Sequence, residues 1–244
     1  MYKSLNRAII AIRKKREVEN PFGFFMVDKL LKKEEFIGKI FDGAILMIGG
    51  FLGDGTPESL IDEIVKAGKK DLTVIANDTA FPGKGIGKLI RAGLVKKAIV
   101  SHIGTNPETQ KQMIEGSMEV ELVPQGTLAE KVRAGGFGLG GILTPTGLGT
   151  VVEDDKQRCE IDGKEYLIEP AIKADIALLK AKKADVLGNL TYNLTAQNFN
   201  PLMAFAAVTT IAEFEELVPK GGIAPNEVRT PHAVVDFLVR GDCK

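Results

Sequence analysis

Between Asp42 and Gly68 the chain reads DGAILMIGGFLGDGTPESLIDEIVKAG: an apolar run, glycines at 49, 50, 53 and 55, then an amphipathic segment. Glycine tolerates positive φ and lets backbone approach a ligand closely. Where such a turn opens a helix, free N–H groups and the helix dipole favour an anion, such as a phosphate. Two readings stand: an anion cradle, or glycines that only let strand and helix pack tightly. The other glycine motifs fail on context. GFGLGG (136–141) fits G-x-G-x-x-G by letter but follows a helical segment rather than a strand. GKGIGKL (83–89) lacks the spacing of a phosphate-binding P-loop. Asn77 and Asp78 end an apolar run on the side where α/β proteins collect ligands, so they are candidate pocket residues and equally good turn formers. His102, at a strand end with no catalytic partner in view, reads as a hydrogen-bonded structural histidine. Cys159 and Cys243 lie far apart, and with only His102 and His232 besides, a protein-bound metal is not expected.

The elements that must position these residues follow from periodicity. Residues 44–48 predict a buried strand and Pro57 to Ala67 a helix, with Thr56 as N-cap and Gly68 as stop. Strands are predicted at 72–76, 97–103 and 119–124, alternating with helices at Ile86–Ala92, Pro107–Glu115 and Thr127–Arg133. That alternation implies an α/β fold: an open, largely parallel sheet flanked by helices. After Gly135, GGFGLGGILTPTGLGT reads as a long shaped loop. CEIDGKEYLIE reads as a hairpin turning at Asp162-Gly163. Strands follow within 174–181 and 207–217, and residues 230–239 read as a closing helix.

Thirty-two basic and thirty-two acidic residues cancel, so no overall field argues for nucleic acid or an anionic membrane. No apolar run approaches the roughly 20 residues that span a bilayer. Two widely spaced cysteines fit reduced thiols in the cytoplasm. Residues 1–25 are basic and weakly amphipathic, and Met26 follows them; the expectation is an extraneous or disordered extension ahead of one domain at 26–244.

The run Gly-Gly-Phe-x-x-x-Gly-x-Pro at Gly49–Pro57 resembles the signature of the α subunit of family I CoA-transferases. IANDTAF (75–81), SHIGTNPET (101–109), LVPQGTLAE (122–130), LTPTGLGTVVE (143–153), LGNLTY (187–192) and NFNPL (198–202) are similar to the same subunit, in the same order. The likeness runs from about Met26 to the end and is greatest to the bacterial acetate/acetoacetate enzymes. It implies that family's open α/β fold and transfer of CoA from an acyl-CoA to a short-chain carboxylate, with CoA as co-substrate and no permanently bound cofactor. It further implies ping-pong chemistry through a glutamyl-CoA thioester. The nucleophilic glutamate would stand in a Ser-Glu-Asn-Gly motif that this chain lacks, so it is expected on a β subunit, in an α2β2 or larger assembly. The resemblance assigns CoA binding to Gly49, Gly50, Phe51, Leu52, Gly53, Asp54 and Gly55. It assigns the oxyanion donor to Gln125, whose amide could stabilise a tetrahedral oxyanion without being attacked. Without the family, a turn-fixing side chain is the lesser alternative for Gln125. The family more often carries a small residue at Phe137, which implies a narrowed acyl pocket or altered interface, and an apolar one at Asp54, which argues against phosphate contact there. The alternative is a non-enzymatic sensor of acyl-CoA or a sugar phosphate in the same superfamily.

Overall fold

The computed structural model describes residues 29–242 and, before them, the backbone of a short antiparallel pair, β1 (Glu17–Val18) and β2 (Met26–Val27). The expected N-terminal extension otherwise lies outside the described residues. The first half is a βα series: β3 (Leu30–Leu31), α1 (Lys33–Ile37), β4 (Ile45–Ile48), α2 (Glu58–Ala67), β5 (Leu72–Ile75), α3 (Gly87–Arg91), β6 (Val95–Val100), α4 (Pro107–Ile114), β7 (Glu119–Leu122) and α5 (Gln125–Gly136). A small antiparallel sheet follows, of β8 (Gly141–Thr144), β9 (Arg158–Ile161) and β10 (Lys164–Pro170) in the order β8-β10-β9. Then come β11 (Ala174–Asp185), β12 (Leu190–Thr191), α6 (Asn200–Phe205), β13 (Ala207–Val218) and β14 (Phe237–Arg240).

The main sheet runs β3-β14-β13-β11-β4-β5-β6-β7, parallel throughout, with β12 antiparallel to the end of β11. From β4 the chain steps outward strand by strand to β7, then returns to place β11 on the other side of β4. The order therefore reverses between β4 and β11, and ligands of open α/β sheets collect outside the carboxyl ends of strands at such a switch. Successive right-handed crossovers in one direction put α2, α3 and α4 on one face. Leu60, Ile61, Leu89 and Ile90 pack there against Leu46 and Ile48. Met47, one pleat over, faces the opposite layer with Leu128, Val132 and Met203 of α5 and α6.

Two segments depart from the sequence reading. Thr144 to Gly141 pairs with Leu167 to Pro170, so the glycine-rich stretch after α5 contains a strand. Its backbone groups are satisfied by a partner far along the chain, which local composition does not show. Residues 230–239 form a short 3₁₀ turn at His232–Val234 and then β14, not a helix. The vacant edge of β13 decides this, pairing Ile211 with Phe237 and Phe214 with Arg240. Phe137 ends α5 and stacks on Phe205, with centroids 5.3 Å apart. The 12 residues of α5 put it about 18 Å along the helix from Gln125. The Asp162-Gly163 hairpin forms as read, both residues having positive φ (51° and 72°) as a type I′ turn requires.

Candidate active site

The segment after β4 closes on itself. Phe51 and Asp54 each donate an N–H to the other's carbonyl at 2.9 Å, and Leu52 (φ 50°) and Gly53 (φ 85°) make the tip. Positive φ at Leu52 is strained for a side chain of its kind. It is held by Asp78, whose Oδ2 accepts the Leu52 N–H at 2.8 Å. The other Asp78 oxygen accepts from Ala80 N–H at 2.7 Å, and Asn77 Nδ2 donates to Oδ2 at 2.8 Å. Asn77 and Asp78 are both buried at 3% exposure, so Asp78 is the turn former of the two readings.

The opposite side of the turn is clasped by residues that sequence reasoning left unassigned. Asn198 Oδ1 accepts the Gly50 N–H at 3.1 Å, and its Nδ2 donates to the Asp54 carbonyl at 3.0 Å. Buried Asn200 donates to the Gly55 carbonyl at 3.0 Å and accepts from Lys180 N–H at 3.0 Å. A side chain on Gly49 would collide with the Asn200 carboxamide, which is why glycine stands there. The available signal was NFNPL itself, with two amide side chains flanking an aromatic residue just before a proline.

Thr56 does not cap α2. The cap position is Pro57, with no side-chain hydrogen bond. Glu213 of β13 does the capping, accepting Ser59 N–H at 2.9 Å and Leu60 N–H at 3.1 Å. Glu213 is 1% exposed, and its carboxylate pairs with Lys180 Nζ at 3.0 Å. The positive end of the helix dipole thus already holds an anion, and a second negative group there would be repelled. Within the turn, Gly49, Gly50, Phe51, Leu52 and Asp54 all have acceptors for their N–H groups. Gly53 and Gly55 have none among the described residues.

Gln125 is the first residue of α5, just past the carboxyl end of β7, and its exposed carboxamide makes no hydrogen bond among the described residues. The residues that follow it, from Gly126 to Arg133 of α5, line an open groove of about 550 Å³ against β8 and Thr146. Parallel pairing brings Gln125, Asn77, Asp78 and the glycine turn to one edge of the sheet. Three strand spacings put Gln125 about 14 Å from the turn. The carboxylates around the turn are all engaged. Asp54 accepts from Thr195 Oγ1 at 3.1 Å, and Glu58 accepts from Gly85 N–H at 2.9 Å while pairing with Lys88 at 2.6 Å. His102 is exposed, and its imidazole has no hydrogen-bond partner among the described residues; only its backbone is used, bridging to Asp78. The hydrogen-bonded structural role expected for its side chain is therefore absent. Tyr192 of LGNLTY bonds Thr230 Oγ1 at 2.6 Å, and burial pushes its phenol above the ordinary value.

Residues 32–241 match the family model described as coenzyme A transferase. The chain belongs to the coenzyme A transferase family. It is 54% identical over 214 residues to the acetate CoA-transferase subunit alpha of Escherichia coli K12, covering 88% of this chain and 97% of that one. It is 48% identical to the acetoacetyl-CoA:acetate/butyrate CoA transferase alpha subunit of Clostridium acetobutylicum, covering 88% and 99% of the two chains. Among solved structures, an acyl-CoA transferase of Escherichia coli O157:H7, captured as its thioester complex with CoA, superposes with a TM-score of 0.78 at 27% identity. That match covers 88% of this chain but 47% of the other, so this transferase subunit spans about half the length of that protein. The chain is an α-type subunit of a family of enzymes, and the sensor alternative gives way. Among the described residues no helix of this transferase subunit is long and apolar enough to cross a membrane.

Proposed function

We propose that this chain is the α half of a cytoplasmic, heteromeric enzyme that moves CoA from an acyl-CoA to a short-chain carboxylate of the acetate, acetoacetate or butyrate type. The catalytic glutamate stands on a β subunit in a Ser-Glu-Asn-Gly motif, and the assembly is α2β2 or larger. Its carboxylate attacks the thioester carbonyl and expels CoA thiolate, leaving an acyl-glutamyl anhydride. The thiolate then attacks the glutamyl carbonyl, which frees the first carboxylic acid and leaves a glutamyl-CoA thioester. The second carboxylate reverses these steps and regenerates the glutamate. One thioester replaces another, so no energy-supplying nucleotide enters.

In this reading Gln125 donates its amide N–H to the oxygen that becomes negative in each tetrahedral intermediate. The glycine turn Gly49–Gly55 meets CoA, with Asn77 and Asp78 holding the turn from beneath. One observation carries the reading: at the carboxyl edge of the sheet the Gln125 amide is unengaged among the described residues, whereas Asp54, Glu58, Asp78 and Glu213 are all committed to structural hydrogen bonds. An edge with a donor and no available nucleophile fits half of a shared site. In the assembled enzyme Gln125→Ala is expected to lower kcat by about 10²–10³, with the complex intact on gel filtration. Unchanged turnover would remove Gln125 from the oxyanion role. A native complex containing no second polypeptide with Ser-Glu-Asn-Gly would remove the shared-site mechanism.

A further inference from the structure

The Gly-Lys-Gly loop at 83–85, set aside as a P-loop on its spacing, is brought against the glycine turn by the pairing of β4 with β5. A methyl group added at Gly53 would lie 2.6 Å from Lys84 Cε and 3.0 Å from Cδ, so the lysine stem lies flat across the glycine at the turn's tip. Around it the cations are neutralised: Lys88 pairs with Glu58 and Asp62 at 2.6 and 2.5 Å, and Arg91 with Glu108 at 2.9 Å. Lys84 is exposed, and its side chain makes no ion pair or hydrogen bond among the described residues. The packed stem costs the ammonium less freedom on binding than a free surface lysine would lose. Beside it, the Gly53 N–H is one of two in the turn that lack an acceptor among the described residues. The dipole end of α2, the other natural anion site, is filled by Glu213.

We propose that Lys84 is a binding residue for the phosphate-bearing half of the acyl-CoA, its ammonium pairing with a phosphate oxygen beside the tip of the glycine turn. This assignment rests on the proposed contact of that turn with CoA. The anion at Lys84 is a phosphate rather than the reacting carboxylate because the tip lies about 14 Å across the sheet edge from Gln125. That is farther than a carboxylate attacking the same carbonyl could stand.

The test uses the assembled two-subunit enzyme and two thioesters, acetoacetyl-CoA and acetoacetyl-pantetheine, which carries no phosphate. Lys84→Met is expected to raise KM for acetoacetyl-CoA about three- to tenfold, the range of a partly exposed charge pair. Its kcat and its kinetics with the pantetheine thioester should stay unchanged, and Lys84→Arg should restore the CoA value. No change with acetoacetyl-CoA, or equal losses on both thioesters, would overturn the assignment. Phe51→Ala, at the base of the turn, separates the two levels. If it raises KM for both thioesters while Lys84→Met is silent, the turn meets CoA without Lys84. If both variants are silent, the turn reading falls as well.

Discussion

Glu213→Gln isolates the anion that holds the N-terminus of α2, the helix that follows the glycine turn. The residue is 1% exposed, and its carboxylate caps α2 through two backbone N–H groups and holds Lys180 at 3.0 Å. Glutamine keeps the shape and one acceptor oxygen but removes the charge. Stripping one partner from a buried ion pair costs about 3–5 kcal/mol. Loss of the negative charge at the helix N-terminus costs up to about 2 kcal/mol. These overlap, because Lys180 keeps a second acceptor in the half-exposed Glu215 at 3.5 Å. A loss of about 3 kcal/mol is therefore expected, which for a domain of this size lowers Tm by about 6–12 °C. The assay is calorimetric unfolding of the assembled enzyme, wild type and variant side by side. Glu215→Gln serves as control and should cost less than about 1 kcal/mol, as a surface pair does. If the two variants lowered Tm equally, or Glu213→Gln did nothing, the claim that the helix end is occupied by a structural anion would be refuted.

Asn198→Ala should free the Gly50 N–H and the Asp54 carbonyl, cost about 1–3 kcal/mol and raise KM for acyl-CoA by loosening the turn; an unchanged KM would show that the clasp is not needed for binding. Buried Glu169 is the hub for Lys131 at 2.9 Å and for Lys156. Burial alone would raise its carboxyl, but the two lysines hold it below its ordinary value of 4.5. A depressed native value stabilises the fold above the ordinary value and loses that contribution as pH falls through the native one. Glu169→Gln should therefore lower Tm near neutrality by an amount that shrinks below pH 4.5; a gap independent of pH would count against the ion-pair account. Phe137→Ala should leave the preference between acetate and butyrate unchanged while losing about 0.5–1.5 kcal/mol of ring stacking, read from substrate competition and unfolding together.

What could be read from the sequence alone was local. The apolar run at 44–48, the glycines after it and the amphipathic helix to Ala67 are set by side-chain period and turn chemistry within a few residues, and so is the Asp162-Gly163 hairpin. Alternation of such units determined a parallel sheet, and collinear motifs pointed to the family. Tertiary structure decided whatever depended on a distant partner. Glu213 reaches the end of α2 from 154 residues away, Asn198 reaches Gly50 from 148, and Asp78 holds Leu52 from a neighbouring strand. Residues 237–240 became a strand because β13 offered an unpaired edge. Hydrogen-bond donors, helix ends and sheet edges carry no record in their own sequence of which remote group satisfies them. For that reason the glycine turn could be placed at the end of β4, while its N–H groups and the neighbouring helix dipole proved largely spent on the fold.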